Sequence, residues 1–466
     1  MKDSFCTNRR RCLQHGGLGF GALAFHDLLL AASESASIRM ANAVPKAKRV
    51  IFLFMSGGPS QMDLFDPKEF INKLHGESID SPLSPEVTQV GTEKYLALGV
   101  KQPVRPRGQS GMMISDLMPH LAGVADDICL LRGMTADNPQ HAAATQQFHT
   151  GVFNEVRPSM GSWISYGLGT ENANLPGFVS IHASGLRTYD SSFLPAKHQG
   201  MPLTVPLNEK ALPIENLKNA SLDESIQRKR VEFTQRLSRR MVESIDGDTH
   251  MEGMIENMEL AFRMQMTTPE LVDLSKESQA TLDLYGVNGK ETDKNARACL
   301  LARKLSESGV RFVQVTMGGW DHHGDIQANL PKLCKETDQP VAALIQDLKQ
   351  RGLLEDTLVL WSGEFGRTPW SQDLSGKAPI DKHGREHQPQ SFCAWMAGGG
   401  IQPGRTYGET DHMGFDVISG RIHVHDLHAT ILHQLGIDHT QLTWRHLGRD
   451  FRLTDVYGSV VKEILA

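Results

Sequence analysis

The stretch Asp356–His387, DTLVLWSGEFGRTPWSQDLSGKAPIDKHGREH, decides how the rest of the chain is read. Thr357–Trp361 is a short, apolar, β-branched run of strand length, and Ser362-Gly363 turns the chain at its end. Glu364, Arg367 and Thr368 follow at once. In an open α/β sheet, ligands bind beyond the carboxyl ends of the strands, so an acid and a guanidinium at that point mark a candidate site. The alternative is a surface ion pair on a loop. A second polar cluster favours the site: Lys382-His383-Gly384-Arg385-Glu386-His387 leads into another apolar strand, Ser391–Ala397, and then into Gly398-Gly399-Gly400.

Outward from this stretch, the same punctuation recurs. Val310–Thr316 reads as a strand that ends in Gly318-Gly319-Trp320-Asp321-His322-His323. A carboxylate oxygen and imidazole nitrogens on such a loop suit zinc or manganese; a plain polar loop is the alternative. Arg49–Met55, RVIFLFM, is apolar throughout, as a strand buried on both faces should be. Ser56-Gly57-Gly58-Pro59-Ser60 turns the chain there, and the glycines permit a close backbone approach to a ligand. Ile128–Arg132 is a further strand, and Thr135–Gly151 reads as a loop feeding a helix with Asp137 or Asn138 as its cap. His141 falls in the first helical turn, where amide N–H groups attract anions; packing or simple solvation is the other reading. Phe178–Ile181 is a short strand, and Asp293–Ser308, Leu330–Arg351 and Val424–Gly436 have helical apolar spacing. This alternation predicts an α/β fold: a mostly parallel sheet with helices on both faces.

Composition sets bounds on function. The 466 residues are 39% hydrophobic and 22% charged, enough for one large domain. A net charge of −6 gives no reason to expect a nucleic-acid partner. No internal apolar run is long enough to span a membrane. The six cysteines lack metal-type spacing. Residues 1–43 read as a targeting segment: Arg9-Arg10-Arg11-Cys12-Leu13 has twin-arginine spacing, and Ala41-Asn42-Ala43 is a plausible cleavage site. The expectation is export to the periplasm or cell envelope, with residues 44–466 as the mature domain. Ala220–Met266 is rich in Arg, Glu and Met at helical spacing, so a helical insertion is expected at about 205–290.

Seven motifs together carry a family resemblance: GGPSQMDLFDPK (Gly57–Lys68), PSMGSWISYGLG (Pro158–Gly169), GGWDHH (Gly318–His323), SGEFGRTP (Ser362–Pro369), GREH (Gly384–His387), AGGGIQPG (Ala397–Gly404) and LGRDFRLTDVYG (Leu447–Gly458). They resemble the domain-of-unknown-function family numbered 1501, exported sulfatase-like proteins, over nearly the whole chain from Arg49. The resemblance implies an alkaline-phosphatase-like fold. Within that superfamily, GGWDHH is similar to the Asp and His of one metal site, and GREH to a late His ligand, His387. The chain departs from the pattern in three places. Ser56-Gly57-Gly58 carries no acid where a metal-binding Asp is expected. Glu364-Phe365 stands for an Asp-His pair. His141 occupies the place of the nucleophile. No cysteine lies in a CxPSR or CxAGR formylglycine motif.

The expected function is an exported, metal-dependent hydrolase of a phosphate or sulfate ester, using zinc, manganese, calcium or magnesium. Asp321, His323, Glu364 and His387 are the expected ligands, with donor atoms within roughly 5 Å of each other. Arg367 and Arg385 are expected to hold the anion, and His141 to act as general acid/base or a further ligand. The rival expectation is a non-catalytic carbohydrate- or envelope-binding protein on a degenerated phosphatase fold, with Glu364 paired to an arginine and the histidines facing solvent.

Overall fold

Arg49–Ser56 (β1) lies at the centre of the molecule because its side chains are apolar in both directions. Ile51, Leu53 and Met55 pack into one core; Val50, Phe52 and Phe54 pack into the other. Burying each such side chain stabilises the fold by about 1.5–3 kcal/mol. The computed structural model describes residues 44–79, 95–183, 185, 188–205, 224–244, 259–260, 263 and 271–466. The expected export segment, 1–43, lies outside these residues, as does part of the expected insertion at 205–290. The described part of that insertion includes one 21-residue helix, Glu224–Ser244.

Eight further strands complete the central sheet: Ile128–Thr135 (β2), Phe178–Ile181 (β3), Met201–Leu203 (β4), Phe312–Gly318 (β5), Thr357–Ser362 (β6), Phe392–Ala397 (β9), Arg405–Tyr407 (β10) and Ile422–His423 (β11). A separate hairpin, Gly366–Gln372 (β7) and Gly384–Gln388 (β8), stands between β6 and β9 in the chain. The order across the sheet is β10-β2-β9-β6-β1-β5-β3-β4, and β11 also pairs with β2. Every pairing is parallel except those of β9, which runs antiparallel to both β6 and β2.

Helices cover both faces. His141–Thr150 (α1), Met160–Leu168 (α2) and Val424–Gln434 (α6) supply Phe148, Trp163, Leu427 and Ile431 to one core. Asp293–Glu307 (α4) and Ile326–Gln350 (α5) supply Leu300, Leu301, Leu344 and Ile345 to the other. Glu224–Ser244 is α3. No helix among the described residues is long and apolar enough to cross a membrane. The mostly parallel α/β sheet covered on both faces is the architecture that the strand–helix alternation predicts.

Two local differences from the sequence reading matter for the site. Gly366–Gln372 carries no strand signal in the sequence but forms a strand, because its partner is the distant segment Gly384–Gln388, which no local period reveals. The expected cap of α1 is also different: Gln140 is the N-cap and offers no side-chain bond, while Asn138 accepts from the Gln140 N–H instead.

Candidate metal centre

The carboxyl ends of β1, β2, β5 and β6 share one edge of the sheet. His387 precedes β9, and in a parallel strand that position would fall on the opposite edge. Because β9 is antiparallel, its start joins the edge where the others end. One reversed strand therefore brings GREH to GGWDHH.

Four groups converge there. His141, Asp321, His323 and His387 each offer one ligand atom, and these atoms lie within 4.8 Å of one another. The Nε2 atoms of His141, His323 and His387 stand 3.1, 2.8 and 3.4 Å from Asp321 Oδ1. The cluster opens to solvent on the Asp321 side, whose side chain is 43% exposed. Such a set could hold a metal ion.

Each imidazole is held from behind. His141 Nδ1 lies 2.6 Å from Glu364 Oε1. The Gly57 N–H donates to both oxygens of that carboxylate, at 3.0 and 3.1 Å. Glu364, expected among the ligands, thus stands one step back, fully buried against His141. His387 Nδ1 lies 2.6 Å from the Pro139 carbonyl oxygen. His323 Nδ1 meets Gln372 Oε1, and Gln372 Nε2 donates to Glu386 Oε2 at 2.5 Å. Glu386 sits where the β7–β8 register shifts, between Arg385 and His387. Such a bulge re-aims side chains.

Both arginines are sealed from solvent and bind protein groups. Arg367 donates from Nε to Gly58 O at 2.9 Å, from one terminal nitrogen to Arg385 O at 3.0 Å, and from the other to Gly57 O and Asp321 Oδ1. Arg385 donates to Asp63 Oδ2 at 2.7 Å and to the carbonyls of Thr368 and Leu98 at 3.1 and 2.8 Å. Neither guanidinium faces the opening. The Gly57-Gly58 turn is the common anchor. A Cβ on Gly57, whose φ is +118°, would stand 2.5 Å from the Asp321 backbone nitrogen. The close approach that the sequence allots to a ligand is therefore an approach of the β1 turn to the loop that carries Asp321.

Charge in the cluster is strongly polarised. Burial works against ionisation of Asp321, but hydrogen bonds from His141, His323 and His387 and the charge of Arg367 hold its carboxyl far below the usual range. Burial opposes charge on His141 too. Its bonds to Asp321 and Glu364 outweigh this and raise it to about 9. Burial lowers His387. His322, between two ligand candidates, is buried, and desolvation together with the Arg367 charge pushes it down to about 4. Gln372, Glu386 and the Pro139 carbonyl escape the sequence reading. Glu386 lies inside GREH, but its role depends on the β7–β8 register, which has no local signature.

The chain belongs to the family described as Protein of unknown function (DUF1501), whose model matches residues 47–465. No curated protein matches the sequence. Among solved structures, it is similar to the lipoteichoic acid synthase LtaP from Listeria monocytogenes, with 11% identity, a TM-score of 0.35, and 91% of this chain and 80% of that one covered. It is also similar to the PsFucS1 sulfatase from Pseudoalteromonas sp., at 13% identity and a TM-score of 0.33, covering 87% of this chain and 71% of that one. A third is alkaline phosphatase from the Antarctic bacterium TAB5, at 11% identity and a TM-score of 0.30, covering 78% and 94%.

Proposed function

We propose that this protein is a metal-dependent hydrolase of an anionic ester, a phosphate or a sulfate, acting outside the cytoplasm as one domain with a helical insertion. The observation that carries the reading is the convergence of three imidazole nitrogens and one carboxylate oxygen on a solvent-open strand edge. His141, Asp321, His323 and His387 would hold the ion. A dication held there would supply Lewis acidity toward the ester oxygen and toward water. The chain's own residues set the geometry: Glu364 orients His141, and Arg367 fixes Asp321 from within. Substrate enters from the Asp321 side, the exposed side of the cluster. The paired Arg9 and Arg10 support export of the folded protein by the twin-arginine route.

One observation favours the non-catalytic binding reading. Arg367 and Arg385, the cations that an anionic substrate would be expected to meet, are fully buried and bonded to protein groups. The deciding experiment is hydrolysis of aryl phosphate and aryl sulfate by protein loaded in turn with zinc, manganese, calcium and magnesium. Turnover that disappears with chelator and in Asp321→Ala supports the hydrolase. Stoichiometric metal without turnover on either ester supports the binding protein.

A further inference from the structure

We infer that this edge is a single nitrogen-rich centre that takes a first-row transition-metal dication of the zinc or iron class in preference to calcium or magnesium, and that Gln372 and Glu386 are the positioning residues that make His323 a ligand. The inference rests on the metal-centre reading above and sharpens it.

The tautomers follow from the partners. An ionised carboxylate and a carbonyl oxygen only accept hydrogen bonds. His141 Nδ1 faces the Glu364 carboxylate, and His387 Nδ1 faces the Pro139 carbonyl. Both rings therefore carry a proton on Nδ1. For His323 the partner is an amide, whose orientation has to be established. Glu386 establishes it: one carboxylate oxygen takes the Gln372 Nε2 donor, and the other accepts from the His387 backbone N–H at 2.9 Å. The amide oxygen of Gln372 is left to face His323 Nδ1. All three rings then present Nε2 to the centre.

In neutral rings, those Nε2 atoms are lone pairs. In the metal-free protein a proton on Nε2 bonds to Asp321 Oδ1; where the rings are neutral their lone pairs stand 2.8–3.4 Å from that same oxygen, and a dication takes the place of those protons. Charging all three rings instead would gather three imidazolium ions and Arg367 around one carboxylate. His141 Nε2 is itself buried and lacks a well-formed hydrogen bond.

The donor count selects the class of ion. Three of the four donors are imidazole nitrogens, which suit zinc and iron. Calcium takes six to eight oxygens, and magnesium prefers an octahedron of oxygens. Among the described residues, this is one group of its kind. Partners behind metal-binding histidines fix ring orientation, and their loss costs about 10- to 100-fold in affinity.

The test uses the whole protein, stripped with chelator and reloaded. Elemental analysis and competition with a chromogenic chelator give stoichiometry and affinity, and cobalt substitution gives a visible spectrum sensitive to the nitrogen ligands. One equivalent of zinc or iron is expected, held at least about 100-fold more tightly than calcium or magnesium. Gln372→Leu is expected to weaken zinc about 10- to 100-fold and to alter the cobalt spectrum. Glu386→Gln, which releases the amide of Gln372, is expected to have a smaller effect of the same kind and serves if the first variant fails to fold. The double exchange Gln372→Glu with Glu386→Gln returns a carboxylate to His323 and a donor behind it, and is expected to restore the spectrum. Calcium or magnesium bound as tightly as zinc overturns the inference. So does a cobalt spectrum unchanged in both single variants. Tight zinc without ester hydrolysis defeats only the hydrolase reading; hydrolysis supported by magnesium at a site without nitrogen ligands defeats only this inference.

Discussion

Helix α1 carries a histidine at each end, and the two live in opposite environments. His141 opens the helix at the sheet edge, one-third exposed, between the carboxylates of Asp321 and Glu364. His149 ends it in the interior, packed against Phe52, Phe54 and Phe148. The first is raised to about 9 despite partial burial; the second is lowered to about 4 by burial. His428, on the neighbouring helix α6, resembles the inner one: it is fully buried, bonds to Phe148 O at 2.8 Å, and is lowered to about 3, chiefly by desolvation. Residue type is the same in all three. What differs is whether a carboxylate or a phenyl ring stands next to the imidazole, and that separates a candidate ligand from a core residue.

The comparison breaks most completely at Asp321. All three Nε2 atoms depend on its carboxylate, so Asp321→Ala leaves three imidazoles with no anion among them. Loss of stoichiometric metal is expected, with affinity down at least about 100-fold and hydrolysis lost with it; secondary structure should be unaltered, because Asp321 lies on a solvent-open loop. Elemental analysis and circular dichroism check this. Retained metal in the variant would move the centre elsewhere.

The inner histidines give the second effect, on stability rather than binding. Their folded pKa values lie below the ordinary 6.5, so below pH 6.5 the unfolded chain binds protons that the folded chain refuses. Their stabilising contribution is complete above pH 6.5. It is lost as pH falls toward about 4 for His149 and about 3 for His428, on the order of several kcal/mol in total. His141 has the opposite sign in the metal-free protein: its contribution is complete below 6.5 and lost as pH rises through about 9. Denaturant melts of the metal-free protein between pH 4 and 9 should show both slopes. A flat profile between pH 6.5 and 4 would remove the buried-histidine account.

The sequence makes the scaffold legible because the strands are short, apolar runs closed by glycine. Phe178–Ile181 appears with the expected bounds, and β1 and β6 within one residue. Asp321, His323 and His387 are legible because each sits next to such a run. Their true arrangement is less so. That β9 is reversed has no local signal, yet it alone brings His387 to the same edge. Glu364 ends its strand as a ligand would, but whether it meets the ion or His141 depends on the Gly57 N–H, about 300 residues away in the chain and set by tertiary packing. The two arginines look like anion binders because guanidinium chemistry suits anions; burial, which composition does not report, turns their donors onto backbone carbonyls.

A smaller expected effect separates Glu364 from the centre itself. Glu364→Gln keeps the volume and an acceptor for His141 but removes the charge, and the Gly57 N–H retains an oxygen partner. Metal affinity is expected to fall about 10- to 100-fold, with the metal still stoichiometric at saturation. Titration calorimetry distinguishes this from the loss expected of Asp321→Ala. Equal losses in both variants would make Glu364 a ligand rather than the group that orients one.

The smallest expected effect is at His149, and it sharpens the comparison from the inner side. His149 Nδ1 lies 2.8 Å from Thr145 O, a carbonyl four residues earlier in the same helix that also takes the helical N–H bond. Its buried Nε2 lies by the buried Gln314 side chain without a well-aligned hydrogen bond. Removing the imidazole therefore orphans no helical carbonyl, the Gln314 amide keeps its bond to Thr316, and three phenyl rings offer an apolar lining to what replaces the ring. His149→Leu keeps nearly the same volume and is expected to change stability at pH 7 by no more than about 1 kcal/mol. It also removes a group that the unfolded chain protonates and the folded chain does not. At pH 5 the variant should gain about 2 kcal/mol relative to its own difference from the parent at pH 7, since each pKa unit is worth about 1.4 kcal/mol. Metal stoichiometry should stay the same, because nothing at the inner end of α1 touches the cluster at its outer end. Melts at pH 7 and pH 5 with elemental analysis on the same samples measure all three. A variant that loses metal would tie the two ends of α1 together and end the separation between a histidine that packs and one that binds.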